Sequence, residues 1–228
     1  MIAWHDIHQA SWAQLQRARQ DDRLPHALLL NGPAGIGKLA FAETLAGSLL
    51  CDAPAQDGLA CGSCTSCTWH ASGNHPDFRR IRPEAYEDEV MSDDDARSTA
   101  KSERKKSEQI RIDQIRALES FIQVGSHRGR RVILIEPAEA MNEATANALL
   151  KSLEEPPAGV HFLLVSHAAE RLLPTVRSRT RAIPMRVPDQ SLALSQLKAM
   201  AISPQQGALW LNRCAGALRY ALALAQAS

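Results

Sequence analysis

The feature that most constrains the fold of this 228-residue chain is a glycine-rich stretch between two apolar segments. Residues 32–38 read GPAGIGK. They follow the apolar run 27–30, which is too short for a helix and is therefore predicted as a buried strand. Residues 39–50, rich in Ala and Leu, predict a helix on the other side. A turn of this kind must connect a strand directly to a helix.

This G-x-x-x-x-G-K pattern is typical of a phosphate-binding loop. Glycine lets successive backbone N–H groups converge on phosphate oxygens, the helix N-terminus adds a favourable dipole, and the lysine reaches the β- and γ-phosphates. The alternative is a glycine-rich turn that binds nothing. We expect a nucleotide site, with ATP and Mg²⁺ as candidate ligands, formed by Gly32, Gly35, Gly37 and Lys38.

The groups that would support nucleotide hydrolysis are altered. Leu39 stands where the motif places the Ser or Thr whose hydroxyl ligates Mg²⁺. An apolar side chain cannot coordinate a hard cation. Glu136, directly after the predicted strand 132–135, could serve as the metal-binding acid, but Pro137 occupies the position where ATPases of this type often carry a second acid. The sequence predicts a chain that binds nucleotide and is poorly equipped to cleave it.

Two further polar side chains are candidates for this site. Ser166 follows the predicted strand 162–165, where its hydroxyl could face a γ-phosphate or simply end the strand. Arg219 lies in a predicted helix near the C-terminus, from which it could fold back onto bound phosphate or remain on the helix surface. The sequence alone leaves both pairs of alternatives open.

Short apolar strands alternate with helices along the first 185 residues. The predicted strands are 27–30, 78–82, 132–135 and 162–165, and the clearest helices are 39–50 and 141–155. This alternation is typical of a parallel α/β sheet. From about residue 191 the pattern is entirely helical. We expect an α/β domain over 1–185, then a small helical domain over 186–228.

Residues 84–108 differ in composition from the rest of that first domain. Seven acidic residues between 84 and 95 are followed by a basic group. Few apolar side chains are present to offset the entropy of ordering the segment. We expect a flexible, charged surface insertion; a charged patch that binds a partner is the alternative.

Four of the five cysteines fall within 17 positions, in a segment (51–75) otherwise predicted as loop. The spacing Cys51-x9-Cys61-x2-Cys64-x2-Cys67 offers four thiolates, enough to close a tetrahedral Zn²⁺ site with no open position. We therefore predict a structural zinc module over about 51–70; an iron–sulfur cluster is the alternative. A zinc-dependent reader of nucleic acid is disfavoured, because residues 52–74 contain no Lys or Arg.

The charge balance and the apolar runs argue against a general affinity for nucleic acid or membranes. The net charge is 26 − 25 = +1, so no overall field draws the chain to polyanions. Phosphate contacts would need local basic groups, such as residues 79–80 or 128–131. No apolar run approaches the roughly 20 residues that span a bilayer, and the N-terminus lacks a signal-peptide pattern. We expect a cytoplasmic chain.

Five segments together carry a resemblance to a known family. They are GPAGIGK, the four-cysteine insertion, GNHPDF (73–78), NALLKSLEEPP (147–157) and RLLPTVRSRT (171–180). In combination they resemble the clamp-loader AAA+ proteins of bacterial DNA polymerase III, along the whole chain. The resemblance implies an AAA+ P-loop fold with a helical lid. It also implies partners: gamma/tau and delta subunits in a pentameric loader and, through that complex, the sliding clamp and primed DNA.

Within that family the chain is more similar to the rigid stator subunit than to the motor subunits. Motor subunits keep Thr after the P-loop lysine and an Asp-Glu pair, where this chain has Leu39, Glu136 and Pro137. The stator lends the arginine of a Ser-Arg-Cys sequence to the ATP site of an adjacent motor. The resemblance thus implies that Arg179, followed here by Thr180, is a catalytic arginine acting in trans.

The resemblance leaves one alternative function open and also bears on whether the chain forms an oligomer. An ATP-hydrolysing gamma/tau-like motor is the alternative to a stator without independent ATPase activity. The helical collar domain that holds these pentamers together is absent from the 228 residues. We therefore do not expect this chain alone to form a stable oligomer.

Overall fold

The computed structural model describes residues 2–86, 106–127 and 129–227. Its strands are β1 (Ala27–Asn31), β2 (Phe78–Ile81), β3 (Arg131–Ile135), β4 (Val160–Ser166) and β5 (Arg181–Pro184). Its helices are α1 (Trp4–Ile7), α2 (Gln9–Gln20), α3 (Lys38–Leu50), α4 (Thr65–Ala71), α5 (Ile112–Gln123), α6 (Glu143–Glu154), α7 (Pro174–Ser178), α8 (Gln190–Ala199), α9 (Pro204–Arg213) and α10 (Leu218–Ala227). Short 3₁₀ turns lie at Glu84–Tyr86, Ala138–Ala140 and Ala169–Arg171.

The strands form one parallel sheet in the order β2-β3-β4-β1-β5. The three apolar runs predicted as buried strands are β1, β3 and β4, which confirms the expected parallel α/β sheet. No apolar run marks β5, because it lies at an edge of the sheet and buries only Ile183. β1 lies between β4 and the edge strand β5, so the loop that follows β1 starts one strand in from that edge of the sheet.

Helices cover both faces of the sheet. On one face, Phe41 of α3 packs in a cluster with Leu28 and Leu30 of β1. On the other face, Leu118 of α5 and Leu149 of α6 join the alternate residues of the same strands. Successive side chains of a strand point to opposite faces, so each central strand contributes to both clusters.

A third hydrophobic cluster joins the two ends of the chain. Helices α8, α9 and α10 contribute Leu197, Leu211 and Leu218, which confirms a helical region after residue 190. Ile2 and Ile7 are buried in the same cluster. The first residues of the chain therefore share a core with the last helices.

Two segments depart from the sequence-based expectations. The loop predicted over 51–75 is wrong for residues 65–71, which form α4. The sulfur of Cys64 caps this helix by accepting the Cys67 N–H at 3.4 Å, and cysteine is not among the usual N-cap residues. The charged insertion predicted over 84–108 falls mostly on residues 87–105, which lie outside the described ranges.

No helix within the described ranges is both long enough and apolar enough to cross a bilayer.

A buried ion pair fastens the start of β3 to the segment before β2. Arg131 Nη2 lies 3.0 Å from Asp77 Oδ1, and the two side chains are 5% and 3% exposed. Arg131 also donates to the carbonyls of Val124 and Gly125, while Asp77 accepts the N–H of His127. The turn after α5 is thereby tied to the sheet.

Replacing Arg131 with Met should lower the free energy of unfolding by about 3–5 kcal/mol, because the Asp77 carboxylate would remain buried without its counter-charge. Urea unfolding measures the loss. The matched control is Glu84→Gln, which weakens the more exposed pair between Glu84 and Arg111 and should cost no more than about 1 kcal/mol. Similar losses in the two variants would contradict the assignment of Arg131 as a buried structural cation.

Candidate functional site

The predicted phosphate-binding loop lies between the carboxyl end of β1 and the first residue of α3. Gly35 and Gly37 have φ values of +77° and +88°, a left-handed conformation that glycine adopts without strain. Gly37 is also the N-cap of α3. Strand, loop and helix therefore follow one another as the motif predicts.

Side chains from both ends of the chain lie against this loop. A Cβ atom on Gly37 would overlap the indole ring of Trp4, and one on Gly35 would lie 2.6 Å from Cδ2 of Tyr220. His8 donates from Nε2 to the carbonyl oxygen of Ile36 at 2.7 Å. Helices α1 and α10 thus cover the loop with aromatic rings. Neither ring has a local sequence signal that would connect it with the motif.

Lys38 is directed at the loop itself. Its Nζ donates to the carbonyl oxygens of Gly32 (2.6 Å) and Pro33 (2.5 Å). The residue is only 2% exposed. Burial lowers the pKa of Lys38 to about 8, although the negative charge of Glu139 acts in the opposite direction. The ammonium that would meet a phosphate is therefore engaged by backbone acceptors of its own loop.

The acid after β3 is paired with a neighbouring strand. Glu136 Oε1 accepts from Arg80 Nε at 2.9 Å and from Arg80 Nη2 at 2.6 Å, and Arg80 also donates to Glu43 at 2.9 Å. Burial raises the pKa of Glu136, and the Arg80 charge opposes that change. The carboxylate that sequence reasoning assigned to a metal is thus held by an arginine.

Glu139 is a further acidic residue at this site, and the motif pattern does not single it out. A 3₁₀ turn at Ala138–Ala140 returns it to the sheet edge, where its Oε1 accepts the N–H of His167 at 2.9 Å. Its charge acts on both Lys38 and His167. The signal available in the sequence was only its distance of three residues from Glu136.

Ser166 and Arg219 also lie near the loop in the structure. Ser166 ends β4, is fully buried, and accepts the Ala168 N–H through Oγ at 3.2 Å. The backbone N–H of Arg219 donates to the carbonyl oxygen of Gly35 at 2.9 Å, while the residue itself is exposed. The structure therefore places the loop, Ser166 and Arg219 at one edge of the sheet, the edge that also holds Glu136.

Arg179 lies at the C-cap of the short helix α7. Its Nε donates to Glu154 Oε1 at 2.6 Å and its Nη1 donates to the Thr175 carbonyl oxygen at 3.0 Å. Its side chain is 33% exposed and that of Glu154 is 47% exposed. The guanidinium is thus oriented by α6 and α7 at the protein surface.

The four clustered cysteines converge. Their sulfur atoms all lie within 4.8 Å of one another. The Sγ–Sγ distances are 3.9 Å for Cys51–Cys64, 3.9 Å for Cys61–Cys67 and 3.6 Å for Cys51–Cys67. Four sulfurs at about 2.3 Å from a tetrahedral Zn²⁺ are about 3.8 Å apart. The residues present therefore fit a single metal ion.

The surroundings act differently on these sulfurs: burial raises the pKa of Cys51 and raises that of Cys67 to about 12, whereas backbone N–H groups act in the opposite direction on Cys61. Cys51 Sγ accepts the Cys61 N–H at 3.2 Å. The backbone N–H groups of Ser63 and Cys64 lower the pKa of Cys61 to about 6. Cys51 ends α3 and Cys64 begins α4, so the cluster connects the long helix on the sheet with the short one.

Comparison with known sequences decides the family. A family model described as DNA polymerase III, delta subunit, matches residues 7–189. The delta′ subunit of Pseudomonas aeruginosa is 47% identical over 172 residues, and that of Escherichia coli is 32% identical over 226 residues. The chain belongs to the delta′ subunit family of DNA polymerase III. This delta′-family chain is also related to gamma/tau: the Mycobacterium tuberculosis subunit is 32% identical over 176 residues.

The alignments differ in how much of each protein they include. The Pseudomonas match covers 75% of this chain and 45% of the relative, and the Escherichia coli match covers 99% and 62%. The delta′-family chain thus spans about half the length of these relatives. The gamma/tau match covers 77% of this chain and 27% of the relative.

Solved structures share the fold at low sequence identity. The RuvB Holliday junction branch migration motor of Thermotoga maritima matches with a TM-score of 0.56 and 15% identity, over 97% of this chain and 60% of that one. A gamma subunit-related protein from the same organism matches with a TM-score of 0.52 and 20% identity, over 80% and 49%. The AAA+ fold expected from the motifs is confirmed.

The burial of Lys38 makes a prediction for pH dependence. The folded chain releases this proton near pH 8, whereas the unfolded chain keeps it until about pH 10.5. Between these values the unfolded state binds more protons, so the contribution of Lys38 to stability becomes more favourable as the pH rises. The free energy of unfolding of the wild type, measured relative to Lys38→Met, should therefore increase from about pH 8 to about pH 10.5. A difference that stays constant across this window would contradict the burial of a charged Lys38.

Proposed function

We propose that this delta′-family chain is the stator of a clamp loader and that it completes the ATP site of a neighbouring subunit with Arg179. One observation carries the proposal: the chain's own phosphate-binding loop is covered by Trp4 and Tyr220, and Lys38 is bonded to the loop's carbonyl oxygens. A loop in this arrangement is suited to hold the fold together. Arg179, whose side chain is 33% exposed, is then the group available to act on a nucleotide.

The gamma/tau-like motor is the weaker candidate on the same geometry. Leu39 offers Mg²⁺ no oxygen, and the Glu136 carboxylate already pairs with Arg80. Residue 137 is Pro, which cannot orient an attacking water. Three of the parts that support hydrolysis in P-loop ATPases are therefore replaced or engaged elsewhere.

Arg179 has the chemistry and the position for action in trans. An arginine supplied from outside a nucleotide site stabilises the charge that develops on the transferred phosphoryl group. Its ion pair with Glu154 is partly exposed, and such pairs contribute little to stability. The guanidinium can therefore exchange this carboxylate for a phosphate at low energetic cost. Until the neighbour is present, Glu154 and the Thr175 carbonyl oxygen would hold the guanidinium.

The proposed assembly follows from the relatives. The neighbouring site would belong to a gamma/tau subunit, and the complex would include delta, the sliding clamp and primed DNA. We divide the chain into a P-loop unit over 1–185 and a lid over 186–228, and place it in the cytoplasm, where DNA is replicated. The loop, Ser166 and Arg219 would be relics of nucleotide binding.

Arg179→Ala should leave the chain folded and lower ATP turnover in a reconstituted loader. A trans-acting arginine increases the rate of hydrolysis at its site by about 10³–10⁵. ATP hydrolysis at the site next to this chain should therefore almost stop, while the other sites of the loader continue to hydrolyse ATP. Phosphate release by the complex measures the change. Arg177→Ala, on the same short helix, is the matched control and should retain turnover.

Two outcomes would count against this function. Unchanged turnover in the Arg179→Ala loader would remove the trans-acting role. Steady phosphate release by the chain alone, titrated with ATP and Mg²⁺, would replace the stator with the motor.

We also propose that the four cysteines bind one structural zinc ion. Four thiolates would fill all the coordination positions of the zinc ion, so none would remain for a substrate or water. The ion would link the segments that carry the cysteines and would have no catalytic role. Cys51 at the end of α3 would be joined to the three cysteines around the start of α4. This small module would then keep its shape with few apolar residues of its own.

Cys64→Ser should reduce the zinc content from one ion per chain to a small fraction and lower the midpoint of thermal unfolding. Atomic absorption measures the metal, and calorimetry measures the midpoint. Cys214→Ser is the matched control, because Cys214 is not part of the sulfur cluster. If both variants kept zinc, or if the wild type purified with iron, the zinc assignment would be wrong.

A further inference from the structure

A second polar pocket, of about 270 Å³, lies far from the phosphate-binding loop. Its lining includes Arg19 from α2, the last residues of α3 and Arg130, which directly precedes β3. The strands are parallel, so the start of β3 and the end of β1 lie at opposite edges of the sheet. Helix α3 begins at the loop and ends at this pocket. The two sites are therefore separated by the length of α3.

Two guanidinium groups line the pocket. Arg19 donates from Nη1 to Ser48 Oγ at 2.7 Å, and Arg130 donates from Nη1 to the Leu49 carbonyl oxygen at 3.4 Å. Each guanidinium has five N–H donors, so most donors are left for other acceptors. Neither arginine forms an ion pair with a carboxylate in the part of the chain that the structure describes.

The positive charges in this region act on one another. Burial, followed by the charge of Arg130, lowers the pKa of Arg19, while Cys51 opposes the change. Burial lowers the pKa of His161 to about 4, and the charges of Arg130 and Arg19 contribute. Like charges held together in a concave site repel, and an anion between them offsets that repulsion.

Two carboxylates also line the pocket: Asp77 is paired with Arg131 at 3.0 Å, whereas the hydrogen bond that Asp52 accepts from Ser66 at 3.1 Å leaves its negative charge in place. His75, only 6% exposed, accepts the Asp77 N–H at Nδ1, so its neutral ring carries a proton on Nε2. That Nε2 has no hydrogen-bond partner among the described residues. The lining thus offers the unused N–H donors of Arg19, Arg130 and His75 beside these acidic groups.

We propose that this pocket binds a phosphate group between Arg19 and Arg130. The planar fork of a guanidinium matches phosphate oxygens in pairs, and two forks suit a doubly charged anion better than a single carboxylate. The phosphate could come from a free phosphate anion or from a nucleic-acid backbone, since both present the same oxygens. This site is separate from the trans-acting arginine and from the nucleotide loop.

The test uses the whole 228-residue chain with two probes. Calorimetry with inorganic pyrophosphate measures binding of the free anion. Fluorescence anisotropy with a labelled DNA duplex, repeated at several salt concentrations, measures binding of the backbone. Arg19→Gln and Arg130→Gln should each weaken binding of the recognised probe about tenfold, the value of one charge-assisted pair. Arg17→Gln, exposed on the same helix, is the matched control.

The outcomes distinguish the two sources. If only pyrophosphate binds and both variants weaken it, the ligand is a free phosphate. If DNA binds, and each variant lowers the slope of log K against log salt by about one, the ligand is a nucleic-acid backbone. Arg19→Gln also removes a bond to Ser48; Ser48→Ala separates that loss from the loss of charge, and Arg130→Gln tests the charge independently.

Three results would overturn the proposal. Neither probe binds the wild type; both variants bind as tightly as the wild type; or Lys38→Met, at the opposite edge of the sheet, abolishes pyrophosphate binding. The last result would place the anion in the phosphate-binding loop. None of the three bears on the trans-acting role of Arg179, which is tested by turnover of the assembled loader.

Discussion

The close approach of Trp4 to Gly37 is the contact on which the arrangement of the chain depends. Only glycine fits at residue 37, because a Cβ there would overlap the indole ring. Trp4 packs both against the cluster between α3 and the sheet and against the cluster of the last helices. One aromatic side chain therefore joins the two cores at the first turn of α3. The small residue that this contact requires, Gly37, is one of the glycines of the phosphate-binding motif.

The same loop also takes part in holding the fold together. The motif keeps its glycines and its lysine, and the backbone keeps the left-handed turns that they permit. Lys38 donates to the carbonyl oxygens of the loop. Glu136, which follows β3, pairs with Arg80 of β2, and Arg80 also pairs with Glu43 of α3. These ion pairs join the two strands to the helix. Lys38 and Glu136 thus each have hydrogen-bond partners within the chain.

Much of this was readable from the sequence, and the exceptions have physical reasons. The buried strands β1, β3 and β4 appear as apolar runs because both faces of the sheet are covered. β5 does not, since an edge strand buries one residue in four. The cysteine spacing predicted a cluster, and the sulfurs converge. Trp4 and Tyr220 were missed because they reach the loop from opposite ends of the chain, and no local pattern records such contacts.

The burial of Ile2 and Ile7 among the last helices has a mechanical consequence. The chain passes from the helical core to the sheet core between Ile7 and Trp12, and returns between Met185 and Ala193. The two bodies are therefore joined by two backbone segments, with the Trp4 ring wedged between them. Two domains joined by a single backbone segment can rotate relative to each other. Two connecting segments, together with a side chain packed between the cores, resist that rotation. The angle between the helical core and the sheet core is therefore held by the chain's own contacts.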